Sequence, residues 1–481
     1  MKITNLKKDD IVTLRINEIS NLGSGIGKHE ESGIVIFVSG AVTGELVRAK
    51  IIKVGKSFCV GKLMEIIEPS SYREDNFCSA PLSCGGCVYR HVKREHELAL
   101  KKSYVEHSFI KVGLSDVKVN DVLHLKNRSG YRYKAHYPIG TGKSGVISGF
   151  YAAKTHKIIP NDVCTLSPDI FSDILHFFCE FATEKKLSVY DEESGKGLLR
   201  HLYLRIGSAT NEIMVCVVIN GNSLPFSDEF AEEITKSFPS VKSIMLNINK
   251  KNTNVVLGDS YITIFGKPYI TDILCGKKFN ISPGSFYQVN HDGAELLYGK
   301  AASLADFRGN ETVLDLYCGI GTIGLSMADK VGEIIGVEIV PEAVECAKEN
   351  AVMNGIKNAT FYCGDASSAR TLLESAKKAR GDLKPDAVIL DPPRKGSTAE
   401  LINYLSELDV PKIIYISCDP DTLARDCVLF RELGYTIGDV TPVDMFPATG
   451  HVESVVCLSR EKADDYIRIS VQTKDLKTKA N

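Results

Sequence analysis

A cysteine in the segment IIYISCDP has the position and chemistry of a catalytic nucleophile. The apolar run that ends at Ser417 predicts a buried strand, and Cys418 follows it directly. In an open sheet of parallel strands, ligands bind at the carboxyl ends of the strands, so this thiol would lie at the functional edge. Thiols form covalent intermediates with electrophilic carbon atoms. Cys418 is therefore a candidate nucleophile, with a structural thiol as the alternative.

A glycine-rich turn predicts a site for an adenosine-containing cofactor. Gly319, Gly321 and Gly324 follow an apolar strand and open a helix in ETVLDLYCGIGTIGLSMA. Glu338 ends the next strand, 23 residues after Asp315, where an acidic side chain can accept hydrogen bonds from ribose hydroxyls. Both NAD and S-adenosylmethionine fit this pattern.

A second strand end favours S-adenosylmethionine over NAD. The segment LDPPRKG places Asp391 directly after a predicted strand. That placement is typical of methyltransferases that act on planar nitrogenous groups and not of dehydrogenases. A rigid proline turn without a catalytic role is the alternative.

Four cysteines have a spacing that suits a metal or an iron–sulfur cluster. Cys78, Cys84 and Cys87 form a C-x5-C-x2-C pattern in FCSAPLSCGGCVYRH, and Cys164 follows in IIPNDVCTLSP. Three close thiolates and one remote thiolate can form a four-sulfur cage. From the spacing alone, an iron–sulfur cluster, a zinc ion and an incidental cluster all remain open.

The elements that must position these residues fall into three zones and a tail, and they predict a multidomain α/β protein. Short strands between glycine turns predict a small OB-like barrel with a possible RNA-binding face over residues 1–68. An α+β domain with an antiparallel sheet is predicted for 69–285, including a helix in KREHELALKKSYVEHSFIKVG. Alternating strands and helices predict a Rossmann-like domain over 286–460. The tail, 461–481, has no predicted role.

Composition sets broader limits. The 481 residues carry a formal net charge of −2, so any RNA binding must depend on local basic patches. No stretch reaches the roughly 18 apolar residues of a membrane span, and the N-terminus lacks a secretory signal, so the cytoplasm is the expected location. Fourteen scattered cysteines suit a reducing compartment. No obligate protein partner is evident.

Several motifs together resemble the RNA uracil-5-methyltransferases, in particular the bacterial 23S ribosomal RNA branch. The matching segments run in order along nearly the whole chain: YRYKAHYPIG, GFYAAKTHKIIPNDVC, FNISPGSFYQVN, DLYCGIGTIG, LDPPRKG, YISCDP and FPATGHVESVVCL. The resemblance implies a TRAM domain for the barrel, [4Fe-4S] ligation by the four cysteines, and ribosomal RNA as the partner. It also implies S-adenosylmethionine as the methyl donor.

The resemblance assigns roles to individual residues. Cys418 would be the nucleophile and Glu453 the proton acceptor, with His451 as a rival base. The positions implied for cofactor binding are Gln288, Tyr317, Glu338 and Asp391, with Asp365 and Thr322 ranked lower because relatives differ there. The remaining candidates are RNA contacts with ordinary structural roles as the alternative: Arg132, Lys134 and Asn290.

Two other functions remain possible from the sequence. A transfer RNA uracil-5-methyltransferase would share the catalytic domain, although the usual transfer RNA enzyme lacks the barrel and the four cysteines. A redox-sensing RNA-binding protein with a silent Rossmann-like domain is the alternative from a different class. The combination of Cys418, Glu453 and the cofactor positions in one chain favours the enzyme.

Overall fold

The computed structural model describes residues 6–75, 77–81, 83–153, 155–160, 163–365 and 384–460. The tail after residue 460 therefore lies outside the described residues. Among the helices within those ranges, none is both long and apolar enough to cross a bilayer.

Five of the described strands close into a small barrel in the order β1-β2-β3-β5-β4. Alternate residues of β1 point inward, so that Val12, Leu14 and Ile16 are buried in the barrel core. Closure removes exposed strand edges. The predicted small barrel is confirmed. The strands are β1 (Ile11–Ile19), β2 (Ser24–Lys28), β3 (Val35–Ser39), β4 (Leu46–Val54) and β5 (Phe58–Glu68).

The central part of the chain forms a sheet of seven described strands in the order β12-β11-β10-β9-β6-β7-β8. Phe171, Phe178 and Phe230 from two helices pack in one core with apolar residues of this sheet. The elements are β6 (Lys134–Gly142), β7 (Gly145–Tyr151), β8 (Ile158–Pro160), α2 (Asp169–Glu184), β9 (Leu199–Ile206), β10 (Ile213–Ile219), α3 (Ser227–Ser237), β11 (Val241–Ile248) and β12 (Ser260–Gly266).

The predicted antiparallel character of this sheet is wrong in one place. Strands β10 and β11 pair in parallel. A parallel pair needs a crossover connection, and α3 supplies it between these two strands. The sheet is therefore mixed.

The C-terminal part forms a second sheet, of eight strands in the described residues, with the path β17-β16-β15-β18-β19-β22-β20 and β21 paired to β22. The strands β15 to β19 pair in parallel, whereas β22 runs antiparallel to β19. This is the predicted Rossmann-like arrangement. Its elements are β15 (Thr312–Leu316), α5 (Thr322–Met327), β16 (Glu333–Glu338), α6 (Pro341–Met353), β17 (Ala359–Cys363), β18 (Ala387–Leu390), α7 (Ala399–Glu407), β19 (Lys412–Ser417), α8 (Pro420–Glu432), β20 (Thr436–Ile437), β21 (Thr441–Val443) and β22 (Glu453–Ser459).

Elements before residue 286 also pack on this second sheet. The predicted helix α1 (Arg94–Lys111) is confirmed, and its Val105 and Phe109 share a core with Leu423 and Phe430 of α8. The hairpin β13 (Ile270–Leu274) and β14 (Lys277–Ile281) shares another core with α4 (His291–Ala305). The C-terminal sheet is therefore supported by segments distant in sequence.

Candidate active site

Cys418 lies in a turn that its neighbours hold rigid. The hydroxyl of Ser417, the last residue of β19, donates to the carbonyl oxygen of Asp419 at 3.0 Å, and the N–H of Asp419 reaches the Ser417 Oγ at 3.1 Å. Oδ1 of Asp419 then caps α8 by accepting from the N–H groups of Asp421 and Thr422. Strand end and helix start are thus fixed on both sides of the half-buried thiol.

Glu453 is brought to Cys418 by strand register. In the antiparallel pair of β19 and β22, Ser417 lies opposite Ser454. The same register extended by one residue sets Cys418 opposite Glu453. Glu453 is only 5% exposed. Thus a thiol and a buried carboxyl group that are 35 residues apart in sequence become cross-strand neighbours.

The electrostatics of the site favour protonated groups. Burial, helped by the nearby Glu453 and Asp391 carboxyls, raises the pKa of Cys418 to about 11, against the opposing effect of Arg394. Burial and Asp391 raise the pKa of Glu453 to about 8, and burial raises that of Asp391 to about 7. At neutral pH the thiol and most of the Glu453 population are protonated. A positive charge brought to this site would therefore favour ionisation.

His451 is less well placed as a base than Glu453. It lies exposed in the cleft, with Nδ1 3.5 Å from Nη2 of Arg394, the long limit of a hydrogen bond. Burial and Arg394 lower the pKa of His451, so its imidazole is neutral at pH 7. After burial, the Glu453 carboxyl is the next cause of the raised pKa of the Cys418 thiol.

The cleft around Cys418 combines residues from distant parts of the chain and encloses about 470 Å³. Asn21 and Leu22 come from the barrel, and Gly85 and Gly86 from the cysteine loop, defined as Ser83–Val88. The barrel approaches closely, because a Cβ added to Gly450 would lie 1.7 Å from the carbonyl oxygen of Asn21. The other lining residues are Val88, Tyr104, Arg132, Arg394, Asp419, Thr449, Gly450, His451 and Val452.

Two buried networks that the sequence analysis missed hold the loops of this cleft. Oδ2 of Asp426 accepts from the Ser397 N–H at 2.8 Å and from the Tyr415 hydroxyl at 2.6 Å, which anchors the loop that carries Arg394. The Lys101 Nζ of α1 donates to Oδ1 of Asp444 at 2.5 Å and to the carbonyl oxygen of Phe446 at 3.0 Å. Both networks use charged residues that are almost completely buried. The sequence alone does not show this burial, so it contains no signal for the two networks.

The glycine turn has the conformation that its sequence predicts. Gly319 and Gly321 adopt φ of 55° and 82°, and a Cβ on Gly324 would lie 2.7 Å from Oδ2 of Asp315. Oδ2 of Asp315 accepts from the Gly324 N–H at 3.0 Å. Glu338 accepts from the Gly319 N–H at 3.0 Å. Since a carboxylate has about four acceptor sites, Glu338 keeps capacity for ribose hydroxyls.

The other cofactor candidates gather near the carboxyl ends of β15 and β18. Tyr298 of α4 has its hydroxyl 3.3 Å from Oγ1 of Thr322, within hydrogen-bonding reach of Gln288 and near Asp391, which helps to raise its pKa. Tyr298 was not predicted from the sequence. Tyr317 has a φ of 64°, a conformation rare for residues other than glycine and frequent at functional sites.

Asp365 lies near the cofactor candidates, whereas Asn290 caps a helix. The carboxyl of Asp365, an exposed residue just after β17, helps to raise the pKa of Tyr317 to about 12. It therefore lies on the cofactor side of the sheet. Asn290 instead caps α4: its Oδ1 accepts from the Gly293 N–H at 3.0 Å, while its Nδ2 donates to the Met445 carbonyl at 2.9 Å. The suggested RNA contact of Asn290 is corrected to a structural role, because both ends of its amide are engaged.

The four cysteines converge. Cys78, Cys84, Cys87 and Cys164 line one small cavity together with Arg132 and apolar residues. Burial, followed by the other three thiols, raises the pKa of Cys87 to about 12. Within the described ranges, however, no group of three or more His, Cys, Asp or Glu side chains has the close geometry that holds a metal ion.

Comparisons with known proteins agree with this geometry. The family description "tRNA (Uracil-5-)-methyltransferase" matches residues 260–461. The chain is 40% identical over 462 residues to an uncharacterized RNA methyltransferase of Clostridium acetobutylicum, covering 95% of this chain and 99% of that protein. It is 40% identical to an uncharacterized RNA methyltransferase of Staphylococcus aureus, with 94% and 98% covered.

A solved structure extends the similarity to the whole fold. The Pyrococcus abyssi tRNA (uracil-54, C5)-methyltransferase, in complex with S-adenosyl-L-homocysteine, matches with a TM-score of 0.74 and 25% identity. The match covers 93% of this chain and 100% of that chain. These findings support S-adenosylmethionine as the methyl donor and RNA as the substrate. The chain belongs to the RNA uracil-5-methyltransferase family.

Proposed function

We propose that this chain methylates carbon 5 of uridine in 23S ribosomal RNA, with Cys418 as the nucleophile and Glu453 as the proton acceptor. The observation that carries the proposal is the cross-strand pairing of Cys418 and Glu453 beside a cleft lined by barrel, cysteine loop and sheet residues. A cleft with walls from three parts of the chain suits a base presented by a folded RNA.

The proposed reaction uses a covalent bond to activate a weak nucleophile. The Sγ of Cys418 bonds to carbon 6 of uracil, and the ring becomes an enolate whose carbon 5 can attack a methyl group. After the transfer, carbon 5 carries both the methyl group and its original proton. Glu453 removes that proton, the C5–C6 double bond re-forms, and the C6–S bond breaks to restore the Cys418 thiolate.

The raised pKa values of Cys418 and Glu453 mean that a positive charge is needed at this site for the reaction. Bound S-adenosylmethionine supplies an electrophilic methyl group and one positive charge. Because burial and neighbouring carboxyls raise the pKa of both Cys418 and Glu453, these groups ionise most readily with a cation nearby, and Arg394 already acts in that direction. We assign Gln288, Tyr317, Glu338 and Asp391 to hold the cofactor, with Asp365 less firmly. The hydroxyl groups of Tyr298 and Thr322, 3.3 Å apart, support these residues.

Ribosomal RNA is the favoured substrate class, and transfer RNA is the second candidate. The motifs of the chain resemble the 23S branch, which combines the barrel with the four cysteines. Transfer RNA is favoured by the full coverage of the P. abyssi enzyme, which acts on transfer RNA and shares this architecture. In either RNA, a stacked uridine must be flipped or unpaired to reach Cys418, at a cost of a few kcal/mol.

The direct test compares the two RNA classes with one labelled methyl donor. We expect the protein to methylate a 23S fragment, to form 5-methyluridine detectable by mass mapping, and to trap a covalent adduct with 5-fluorouridine RNA. Cys418→Ala should lose the adduct, while Cys363→Ala, at an exposed strand end of the same sheet, should retain it. Methylation of transfer RNA alone would favour the second candidate, a transfer RNA uracil-5-methyltransferase. No adduct with either RNA would favour a non-catalytic RNA-binding protein.

We further propose that the four cysteines hold a [4Fe-4S] cluster. They line one small cavity, and four thiolates that converge in this way can form the cage of a four-iron cluster. The methyl transfer has no electron-transfer step, so the cluster would serve the fold of the cysteine loop.

Metal analysis separates the possible occupants. Anaerobically purified protein should contain iron and acid-labile sulfide and absorb in the visible range. Cys84→Ala should lose this absorption, and Cys179→Ala, an isolated half-buried cysteine, should keep it. Stoichiometric zinc without iron would overturn the cluster proposal.

A further inference from the structure

A second cavity lies on the central sheet, apart from the site of methyl transfer. Its volume is about 570 Å³, compared with 470 Å³ for the cleft at Cys418. The residues that line it include Tyr151, His156, Arg200, His201 and Asn254. The reaction proposed above uses none of them.

Two buried polar side chains equip this cavity. Arg200 and His201 are only 3% and 7% exposed. The Arg200 Nη1 donates to the carbonyl oxygens of Asn249 and Lys251, whereas its Nε, like the Nδ1 of His201, has no partner among the described residues. Burial lowers the pKa of His201 to about 4, so its neutral ring has one donor and one acceptor. Unsatisfied buried groups are costly, which favours a polar ligand here.

Aromatic and amide groups complete the cavity. The half-buried ring of Tyr151 has its centroid 5.4 Å from that of His156. Asn254 lies exposed in the connection between β11 and β12. Aromatic faces stack on bases, and amides pair with base edges. This combination matches the chemistry of an unstacked nucleobase.

The second cavity adjoins the cleft at Cys418 across the cysteine loop. The carbonyl oxygen of Tyr151 accepts from the Gly85 N–H at 3.1 Å, and Ala152 forms a β-bridge with Cys84. Gly85 also lines the Cys418 cleft. The cysteine loop therefore lines the Cys418 cleft and contacts the strand end that carries Tyr151 of the second cavity.

A row of basic side chains also connects the two cavities. Lys134 and His136 alternate along β6, and His201 lies opposite Pro138, so these three belong to one face of the sheet, and Arg132 precedes Lys134 by two residues. We call these four residues the basic row. Arg132 lines the Cys418 cleft and His201 lines the second cavity. From Lys134 to Pro138 the strand advances about 13 Å, which is the length of about four stacked nucleotides.

The positive charge of this row comes from Arg132 and Lys134, because His136 and His201 are neutral at pH 7. Arg132 and Lys134 form no ion pair within the described part of the chain, whereas Glu192, which also lines the second cavity, pairs with Arg200 at 3.6 Å. Burial, followed by Arg205 and Arg132, lowers the pKa of Lys134 to about 8. Burial and the surrounding basic groups also lower the pKa of His136 to about 3. A polyanion such as RNA would relieve the repulsion between these basic groups.

We propose that the second cavity binds an unpaired nucleotide of the substrate RNA, a few residues from the target uridine, with the backbone between them running along the basic row. This inference rests on the RNA methyltransferase function. It adds a second point of base recognition, so that the enzyme selects an RNA with two unstacked bases at a fixed separation.

The test uses the full-length protein and two RNAs with the same target uridine. One is a long fragment, and the other keeps only about two nucleotides on each side of the target. The double variant His156→Ala with Asn254→Ala changes exposed residues of the cavity. The double variant Arg308→Ala with Asn310→Ala, in another surface depression, is the matched control. With the long RNA, the KM of the cavity variant should rise about tenfold, from the loss of roughly one stacked base.

The remaining outcomes distinguish a nucleotide within the substrate RNA from a free nucleotide as the ligand of the second cavity. The KM for the short RNA should be the same in all proteins, and 4-thiouridine in the long RNA should crosslink to the peptide that contains Tyr151. The proposal is overturned if the KM of the cavity variant for the long RNA is unchanged, or if its KM rises equally for both RNAs. It is also overturned if millimolar free nucleotides compete with the long RNA. Failure of the wild type to methylate any RNA would instead contradict the proposed function, and direct binding of the long RNA would then test the cavity.

Discussion

Glu97 of α1 accepts a hydrogen bond from the backbone N–H of Ala448 at 2.7 Å, although 351 residues separate the two in sequence. Ala448 has a φ of 63° and lies five residues before Glu453. Lys101, one turn further along α1, contacts Glu97 at 2.9 Å and Asp444 at 2.5 Å. The first long helix thus fixes the loop that leads into the strand of the proposed proton acceptor.

Removing Lys101 should destabilise this loop. In Lys101→Met, the carboxylates of Glu97 and Asp444 remain buried with less compensation, which typically costs about 3–5 kcal/mol. We expect a matching loss in the free energy of unfolding in urea, and a lower kcat at permissive temperature. Lys102→Met is the control, because its partner Asp121 is almost fully exposed and such pairs contribute about 1 kcal/mol or less. Equal losses in both variants would contradict this role for Lys101.

Replacing Glu453 with Gln should stop the reaction after methyl transfer. The amide cannot remove the proton from carbon 5, so the covalent protein–RNA complex should accumulate with unmodified uridine RNA. Denaturing gel electrophoresis with labelled RNA measures it. Glu432→Gln, an exposed change at the end of α8, should turn over normally. A Glu453→Gln enzyme that releases 5-methyluridine would exclude Glu453 as the required base and return attention to His451.

The same substitution should change the pH dependence of stability. The pKa of Glu453 is raised to about 8 in the folded protein, above its ordinary value of 4.5. The carboxyl therefore favours the folded state at low pH, and this contribution is lost as the pH rises through about 8. Glu453→Gln should leave the Tm unchanged at pH 4, below the ordinary pKa of 4.5, and raise it by about 2–4 °C at pH 8.5. Scanning fluorimetry across this range would refute the expectation if the difference were constant with pH.

Adding a methyl group at Gly450 should separate the barrel from the catalytic loop. In Gly450→Ala the new Cβ would meet the carbonyl oxygen of Asn21, so one of the two backbones must move. We expect at least about a tenfold lower kcat/KM for RNA, with the affinity for S-adenosylmethionine retained. Gly299→Ala is the control, because a Cβ there meets nothing within 4 Å and alanine is favourable within a helix. Unchanged RNA kinetics in Gly450→Ala would show that the barrel contact is dispensable.

Local patterns in the sequence determined the features that depend on neighbouring residues. Alternation and glycine turns predicted the barrel, strand and helix periodicity predicted the C-terminal sheet, and the glycine turn at 319–324 has the predicted backbone. The position of Cys418 at a strand end also followed from local sequence, because an apolar run followed by a polar turn defines a strand terminus.

Only the tertiary structure decided what meets Cys418 and what holds it. Strand register sets Glu453 opposite the thiol, and register depends on pairing between segments distant in sequence. The sequence leaves Asn290 between an RNA contact and a structural role, and its capping bonds decide for the structural one. Lys101 gives no signal in the sequence because a lysine is ordinarily solvated. The parallel pairing of β10 and β11 likewise needed the crossover path of α3. The sequence therefore determined the chemistry of single residues, whereas burial and long-range pairing, which no local pattern encodes, decided their partners and protonation.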